Sequence, residues 1–238
     1  MEPLGIISGT ISMGRVPIEG LREKFCETDF GHAVVWASDE AVFVPRHGTD
    51  PDNHILPHLI NCRANMVALQ DLGVSEVIAV NSTGSLNVDL KPGMIVIPDD
   101  FICLSASPTV FSFKPMHITP ALSPGVRMKL LKAARDCGAE TADGGVYWQT
   151  VGPRLETRAE IRLMSRFADL VGMTMANEAV IANELDMHYA SLCSVDNFAH
   201  GLVDNPLELE EILANAQRNQ ELVMKIIRTY VETRRSQR

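Results

Sequence analysis

Four short polar segments of this 238-residue chain share one kind of chemistry. Ser8-Gly9-Thr10, Arg46-His47-Gly48, Asn81-Ser82-Thr83-Gly84-Ser85 and Met173-Thr174 supply hydroxyls, backbone N–H groups beside glycines and one guanidinium. Fixed donors joined by a cation that can grip two oxygens at once suit a tetrahedral oxyanion. There is no Walker loop and no G-x-G-x-x-G, so neither ATP nor a dinucleotide is indicated. Taken one at a time, each segment also fits an ordinary strand-to-helix turn, where Ser, Thr and Gly recur. Their recurrence at four equivalent positions weakens that plainer reading only modestly.

Two further segments carry charged and amide groups. In Gly152-Pro153-Arg154-Leu155-Glu156-Thr157-Arg158-Ala159-Glu160, the Thr157 to Glu160 spacing fits a capping box. Arg–Glu pairs in such a setting often face solvent. Ser194-Val195-Asp196-Asn197-Phe198-Ala199-His200-Gly201 ends an apolar run, where Asp-Asn commonly marks a turn. His54 and His58 are spaced for one helix face, but no third metal ligand accompanies them, so no metal is expected. The H-x-E and P-C-x-x-C pattern of zinc deaminases is missing, as is a G-x-S-x-G elbow.

These groups need a scaffold, and the hydrophobic pattern supplies one. Leu4 to Ser8, Glu76 to Val80, Met94 to Ile97, Gly145 to Thr150, Leu170 to Met173 and Tyr189 to Val195 read as strands. Ala33 to Trp36 and Ala41 to Val44 read as a pair of strands around the Ser38-Asp39-Glu40 turn. Helices are expected at Pro57 to Leu72, Pro124 to Cys137, Glu156 to Arg166 and Asn177 to Leu185. A long amphipathic one is expected at Glu208 to Thr233, with Leu209, Ile212, Leu213, Ala216, Val223, Ile226, Ile227 and Tyr230 on its apolar stripe. Residues 103 to 123 have no clear period. Alternating strands and helices predict a mainly parallel sheet covered on both faces, in one domain over residues 1–238. Sites in such folds lie at the C-terminal ends of the strands.

Bulk properties narrow the function. A net charge of −9 argues against nucleic acid or an anionic membrane as partner, since both reward basic patches. Five cysteines lie far apart without a C-x-x-C, so buried reduced thiols are expected rather than disulfides or a zinc ribbon. The first residues carry no basic segment followed by an apolar core, and no apolar run reaches about 18 residues. The expected location is the cytoplasm. From the residues alone the reading stops at an α/β enzyme with an anion site.

In combination and in order, these segments resemble the trimeric branch of the purine nucleoside phosphorylase family, which includes methylthioadenosine phosphorylases. The resemblance runs from Gly5-Ile6-Ile7-Ser8-Gly9-Thr10 through Arg46-His47-Gly48, Asn81-Ser82-Thr83-Gly84-Ser85-Leu86, Lys91-Pro92-Gly93 and Ile97-Pro98-Asp99-Asp100-Phe101-Ile102. It continues with Gly152-Pro153-Arg154, Glu156-Thr157, Ala159-Glu160 and Gly172-Met173-Thr174, with Glu178 beyond. It implies an α/β single domain with a mixed, mainly parallel central sheet flanked by helices. It implies that Thr10, Arg46, His47, Ser82 and Thr174 hold phosphate and that Met173 packs on the ribose. Leu155 takes the place of a phenylalanine against the base, keeping apolar contact without an aromatic face. Ile11 stands where a glycine is common in the family. Inorganic phosphate is then a co-substrate, with no metal or organic cofactor. The expected assembly is a trimer, or a hexamer built as a pair of trimers, with neither nucleic acid nor membrane as partner.

Within that resemblance, Glu156 and Asn197 choose the base and, with Arg46, carry the catalysis. Adenine-type sites of the family have an aspartate where this chain aligns Asn197. An amide offers an acceptor for N7–H and a donor for O6. Glu156 can accept from N1–H, which hypoxanthine and guanine have and neutral adenine lacks. At the sugar end, Leu209 aligns with a histidine that inosine and guanosine phosphorylases place near the 5′-hydroxyl, and Ile212 follows one turn on. Apolar residues there suit a methylthio group better than a hydroxyl. His117 resembles a family histidine that reaches a neighbouring subunit's 5′ end. The expected substrate is 5′-methylthioinosine. The alternatives are an inosine or guanosine phosphorylase and, less favoured, a methylthioadenosine phosphorylase or a non-catalytic nucleoside-binding protein.

Overall fold

The structure is a computed structural model that describes residues 2–9, 16–113, 117–204 and 209–236. Its centre is three parallel strands: β1 (Leu4–Ser8), β5 (Glu76–Ser85) and β11 (His188–Phe198). Their residues alternate between two cores. Val77 and Ala79 of β5, with Tyr189, Cys193 and Val195 of β11, face α1 (Cys62–Asp71) and α4 (Met175–Glu184). Ile78 and Val80, with Ala190 and Leu192, face α2 (Pro124–Asp136) and α5 (Leu209–Ser236). Burial on both faces is why these strands read as continuous apolar runs rather than alternating ones.

Beyond β1, the sheet continues through β4 (Ala41–Pro45), β3 (Gly31–Ala37) and β2 (Arg22–Thr28). The other way, the end of β5 turns to pair antiparallel with β10 (Leu170–Gly172), which continues to β9 (Val146–Gln149) and β7 (Asp100–Cys103). β11 also pairs antiparallel with β6 (Ile95–Ile97), which carries β8 (Thr141–Asp143). The sheet therefore forks at β5 and β11, and it is mixed but mainly parallel, as expected. A third small core under α3 (Arg158–Met164) joins Leu86, Trp148, Ile161, Met164 and Ala199.

Several sequence expectations change. The strand expected to stop at Val80 runs on to Ser85, and the one expected to stop at Val195 runs on to Phe198, because each finds the other as a partner. The polar runs read as loops after strands are thus themselves strand. The helix expected from Pro57 is a short 3-10 turn at Pro57–Leu59, and α1 begins only after Asn61, whose side chain accepts from the Ala64 N–H and caps it. His58 is exposed on that turn and His54 precedes it, so the two do not share a helix face. Glu156 lies ahead of α3 because Thr157 is the N-cap, with Glu160 completing the expected capping box. β2, β7 and β8 were not anticipated. Leu213 falls off the apolar stripe of α5 and is 48% exposed. All five cysteines are free, with Cys62 and Cys193 buried and the other three partly so. Among the described residues, no helix is long and apolar enough to cross a membrane.

Candidate active site

The C-terminal ends of β4, β5 and β11 open into one pocket, as the topology of a parallel sheet favours, and β10, antiparallel to the end of β5, runs back into the same place. Each strand end delivers side chains to it. Arg46 and His47 follow β4, Ser82 to Gly84 lie in β5, Met173 and Thr174 follow β10, and Asn197 lies in β11. Leu155 and Glu156 enter from the loop between β9 and α3, and Ile212 from the first turns of α5.

The anion end is built on a buried charge pair. Arg46 and Glu178 have side chains only 2% and 3% exposed, and Arg46 Nε stands 2.7 Å from Glu178 Oε1. Nη2 donates to Glu178 Oε2 at 3.1 Å and Nη1 to the Val80 carbonyl at 2.7 Å, whereas Nε makes its ion pair without hydrogen-bond geometry. Tyr189 donates its hydroxyl to the same Glu178 Oε2 at 2.8 Å. Burial pushes the Glu178 carboxyl upward, and Arg46 and Tyr189 hold it down against that trend. Burial likewise disfavours the Arg46 charge, but Glu178 outweighs it and keeps the guanidinium firmly protonated. The pair therefore fixes a permanent cation at the pocket wall.

His47 is neutral by the same logic. Burial lowers its imidazole to about 4, opposed by the Ile55 carbonyl and assisted by Arg46 and His54. Its Nδ1 lies 2.7 Å from the Ile55 carbonyl, which can only accept, so the ring proton sits on Nδ1 and Nε2 is bare. The ring stacks on His54, with centroids 4.4 Å apart. The unfolded chain would protonate this residue near 6.5, so the folded state binds fewer protons between 6.5 and about 4. The stability it contributes is complete above pH 6.5 and declines as pH falls through that window. The melting temperature is expected to drop on acidification from pH 7 to 4, and to drop less in His47→Gln. Parallel pH curves for the two proteins would remove His47 as the cause.

Thr174 is held on its far side. Asn81 Nδ2 donates to Thr174 Oγ1 at 2.7 Å, and Ser191 Oγ donates to Asn81 Oδ1 at 2.6 Å. This leaves the Thr174 hydroxyl proton free to be donated. Thr174 does not cap α4 with its side chain. Gln149 does that instead, accepting from the Ala176 N–H at 2.6 Å and the Asn177 N–H at 3.3 Å.

At the opposite end, Thr150 donates to Glu156 Oε1 at 2.7 Å, which orients the half-buried carboxylate and leaves Oε2 as an acceptor. Asn197 Nδ2 donates to the Phe198 carbonyl at 2.9 Å, so Oδ1 is the unspent acceptor. Gly84 makes room for this amide: a Cβ there would stand 3.2 Å from Asn197 Nδ2. Gly152, in left-handed backbone at φ 67°, passes so close to Met173 that a Cβ would lie 2.5 Å from its sulfur. Met173 lines the pocket, and its place there depends on that close approach.

Of the residues expected from sequence, Arg46, His47, Ser82, Thr174, Leu155, Glu156, Asn197, Met173 and Ile212 all line this pocket. Thr10 and Ile11 lie outside the described residues, as does the side chain of Leu209, which begins α5. His117 is exposed and does not line the pocket of its own chain. Sequence reading missed His54 and His200 as pocket residues, Thr150 as the partner of Glu156 and Glu178 as the partner of Arg46. His54 stood out only as a metal candidate, and the turns that bring it back over His47 have no periodic signature. Among the described residues, no three His, Cys, Asp or Glu side chains gather as a metal cluster.

Comparison with known proteins agrees with this architecture. The chain matches the phosphorylase superfamily over residues 16–232. It is 36% identical to a probable 6-oxopurine nucleoside phosphorylase of Archaeoglobus fulgidus, covering 96% of each chain. It is 37% identical to a probable S-methyl-5′-thioinosine phosphorylase of Methanocaldococcus jannaschii, covering 96% of this chain and 91% of that one. Among solved structures, a methylthioadenosine phosphorylase from Schistosoma mansoni in complex with adenine superposes with a TM-score of 0.86 at 25% identity, over 99% of this chain and 93% of the other. A superfamily match spanning nearly the whole chain, joined to full-length relatives, settles the kinship: this chain belongs to the phosphorylase superfamily.

Proposed function

We propose that the protein catalyses phosphorolysis of a 6-oxopurine nucleoside, preferentially 5′-methylthioinosine, giving hypoxanthine and 5-methylthioribose 1-phosphate. One observation carries the reading: a single pocket joins the anion donors Arg46, Ser82 and Thr174, with His47 beside them whose bare Nε2 can accept from a protonated phosphate oxygen, to Glu156 and Asn197. A phosphate oxygen bonds to the anomeric carbon as the bond to N9 breaks, and the bond's electron pair goes to the purine. Holding the phosphate oxyanion beside the developing oxocarbenium ion is a proximity and electrostatic effect. The departing base gains negative charge, which protonation at N7 by a proton from dihydrogen phosphate or solvent relieves, and the N7–H then donates a hydrogen bond to Asn197 Oδ1. Inorganic phosphate is the co-substrate, and no metal or organic cofactor takes part.

The base assignment rests on two polar groups at separate ring positions. Glu156 accepts from N1–H, and Asn197 accepts at N7–H while its second amide proton can serve O6. The names of the archaeal relatives point the same way. The solved Schistosoma structure carries adenine and is a more distant relative at 25% identity. At the sugar end, Ile212 puts an apolar side chain in the pocket, which supports a methylthio group. An inosine or guanosine phosphorylase is the second reading, favoured by His54 and His200, which line the same pocket and could satisfy a 5′-hydroxyl.

The test is base release from inosine, guanosine, adenosine, methylthioinosine and methylthioadenosine, with and without phosphate. Methylthioinosine should turn over fastest, and release from none of the five would end the enzymatic reading. Leu209→His should raise the inosine-to-methylthioinosine ratio about tenfold, the worth of one newly paired hydroxyl. An unchanged ratio would take Leu209 out of the sugar site. The active form is proposed to be a trimer or hexamer, which sedimentation equilibrium reports directly. Leu59 and Val151, 63% and 55% exposed, line a groove that also reaches Met173 and suits burial against a neighbouring subunit. The proposed location is the cytoplasm, and neither nucleic acid nor membrane is a partner.

A further inference from the structure

His200 lines the pocket with Asn197, Ala199, Leu155 and Glu156, and the mechanism above gives it no role. Its place follows from the end of β11. Asp196 is an extra residue in that strand, so Asn197 pairs with Gly84 and Phe198 with Ser85. The Ala199 N–H donates to the Ser85 carbonyl at 2.9 Å, and the Leu202 N–H closes a turn on the Ala199 carbonyl at 3.0 Å. Ala199 is buried in the small core under α3, and Leu202 packs against it. The turn therefore holds His200 between the end of β11 and the start of α3.

Arg158, the first residue of α3, reaches across this turn. A Cβ on Gly201 would stand 2.8 Å from Arg158 Cγ, and Gly201 has φ 78°, so the close approach and the backbone both call for glycine. Arg158 Nε donates to His200 Nε2 at 3.3 Å. A guanidinium has protons only to give, so Nε2 is the acceptor and the ring proton sits on Nδ1. Among the described residues, Nδ1 has no hydrogen-bond partner. The free nitrogen of His200 is thus a donor. The same pairing locates the ring. Arg158 lies just past the N-cap Thr157 that follows Glu156, and His200 comes shortly after Asn197. On a purine, N1 and N7 flank the substituent at C6. A group held between the residues assigned to N1 and N7 faces that substituent.

We infer that His200 is a specificity-determining residue that donates from Nδ1 to O6 of the base, and that Arg158 is the positioning residue that locks its tautomer. A carbonyl O6 has two lone pairs and takes this proton beside the one from Asn197. An exocyclic amine presents protons instead, and an unlocked imidazole would adapt by moving its own proton to Nε2. Arg158 opposes that shift, because two donors would then meet. The donor at O6 also stabilises negative charge on the departing base. The inference rests on the 6-oxopurine reading above.

The experiment compares kcat/KM for methylthioinosine and methylthioadenosine, and calorimetric binding of hypoxanthine and adenine, in the unaltered protein, Arg158→Met, His200→Ala and the double variant. Arg158→Met keeps an aliphatic stem over Gly201 and removes the donor. Each single variant should narrow the oxo-over-amino preference about tenfold, the worth of one hydrogen bond, and the double variant should narrow it no further than His200→Ala alone. Nitrogen NMR of labelled protein should show the His200 proton on Nδ1, and a mixture of tautomers in Arg158→Met. A merely structural pair would lower the melting temperature and leave the preference within twofold in both single variants, which overturns the inference. So would additive losses in the double variant, mixed tautomers in the unaltered protein, or a changed inosine-to-methylthioinosine ratio with the base preference unmoved, which would move His200 to the sugar end. If the unaltered protein neither binds hypoxanthine nor releases base, the functional reading itself fails, and that result is distinct from an unchanged preference in the variants.

Discussion

Arg46→Met is expected to reduce kcat/KM for phosphate about 10³-fold and to destabilise the fold by about 3–5 kcal/mol, and further variants separate the two effects. The activity loss follows from removing the one guanidinium that lines the pocket among the described residues. The stability loss has a different origin. Among the described residues, Glu178 would remain buried with only the Tyr189 hydroxyl as a side-chain partner. An uncompensated buried carboxylate takes up a proton, so its folded pKa rises further above the ordinary 4.5. A group whose folded pKa is raised binds more protons folded than unfolded. The variant therefore keeps its stability in acid and loses it as pH climbs above about 4.5. Arg46→Met combined with Glu178→Leu and Tyr189→Phe removes every charged or hydroxyl member of the cluster. It should recover most of the stability, because well-packed apolar replacements of a buried pair are often neutral, and it should recover none of the activity. Calorimetric melts at several pH values beside phosphate-dependent base release decide the matter. Activity in the triple variant within tenfold of the unaltered protein would show that Arg46 serves the fold and not the phosphate.

The second large effect concerns the base. Asn197→Asp should move the ratio of 6-aminopurine to 6-oxopurine turnover about 100-fold toward the amino substrates. In the native pocket Asn197 spends one amide proton on the Phe198 carbonyl and leaves Oδ1 unspent. A carboxylate has no proton for O6 and accepts from the exocyclic amine instead. The single change leaves Glu156, still oriented by Thr150, without a partner on neutral adenine N1. Glu156→Ser added to Asn197→Asp should therefore carry the switch further than either change alone, and the pair should couple because both touch one ring. The comparison is kcat/KM for methylthioadenosine over methylthioinosine in the four proteins. A constant ratio across them would withdraw both residues from base selection.

Much of this site was legible in the chain, for a simple reason. Strands buried on both faces must be apolar along their length, so β1, the first half of β5 and most of β11 announce themselves. In a mainly parallel sheet the C-terminal ends of β4, β5 and β11 fall on one side, which places Arg46, Ser82 and Asn197 together before any coordinates exist, whereas Thr174 joins them because β10 runs antiparallel along the end of β5. What stayed hidden was structure decided by partners distant in sequence. β2 is mostly exposed and exists as a strand because β3 pairs along its whole length. Ser82 and Thr83 look like loop residues and are strand because β11 runs beside them. Glu156 looks like helix and lies before it, because Thr157 finds Glu160 and closes the cap first.

The sequence by itself determined which groups can hold an anion and that a two-faced sheet must carry them, whereas the purine-reading roles of Asn197 and Glu156 are implied by the family resemblance. Side-chain chemistry and hydrophobic period are local properties, so they survive without coordinates. The tertiary structure alone decided the pairings that set charge and aim. It brought Glu178 from α4 to Arg46 after β4, stacked His54 over His47, and let one extra residue in β11 turn Asn197 to the side of Ser82. Each of these depends on contacts between segments far apart in the chain, whose geometry no single segment encodes.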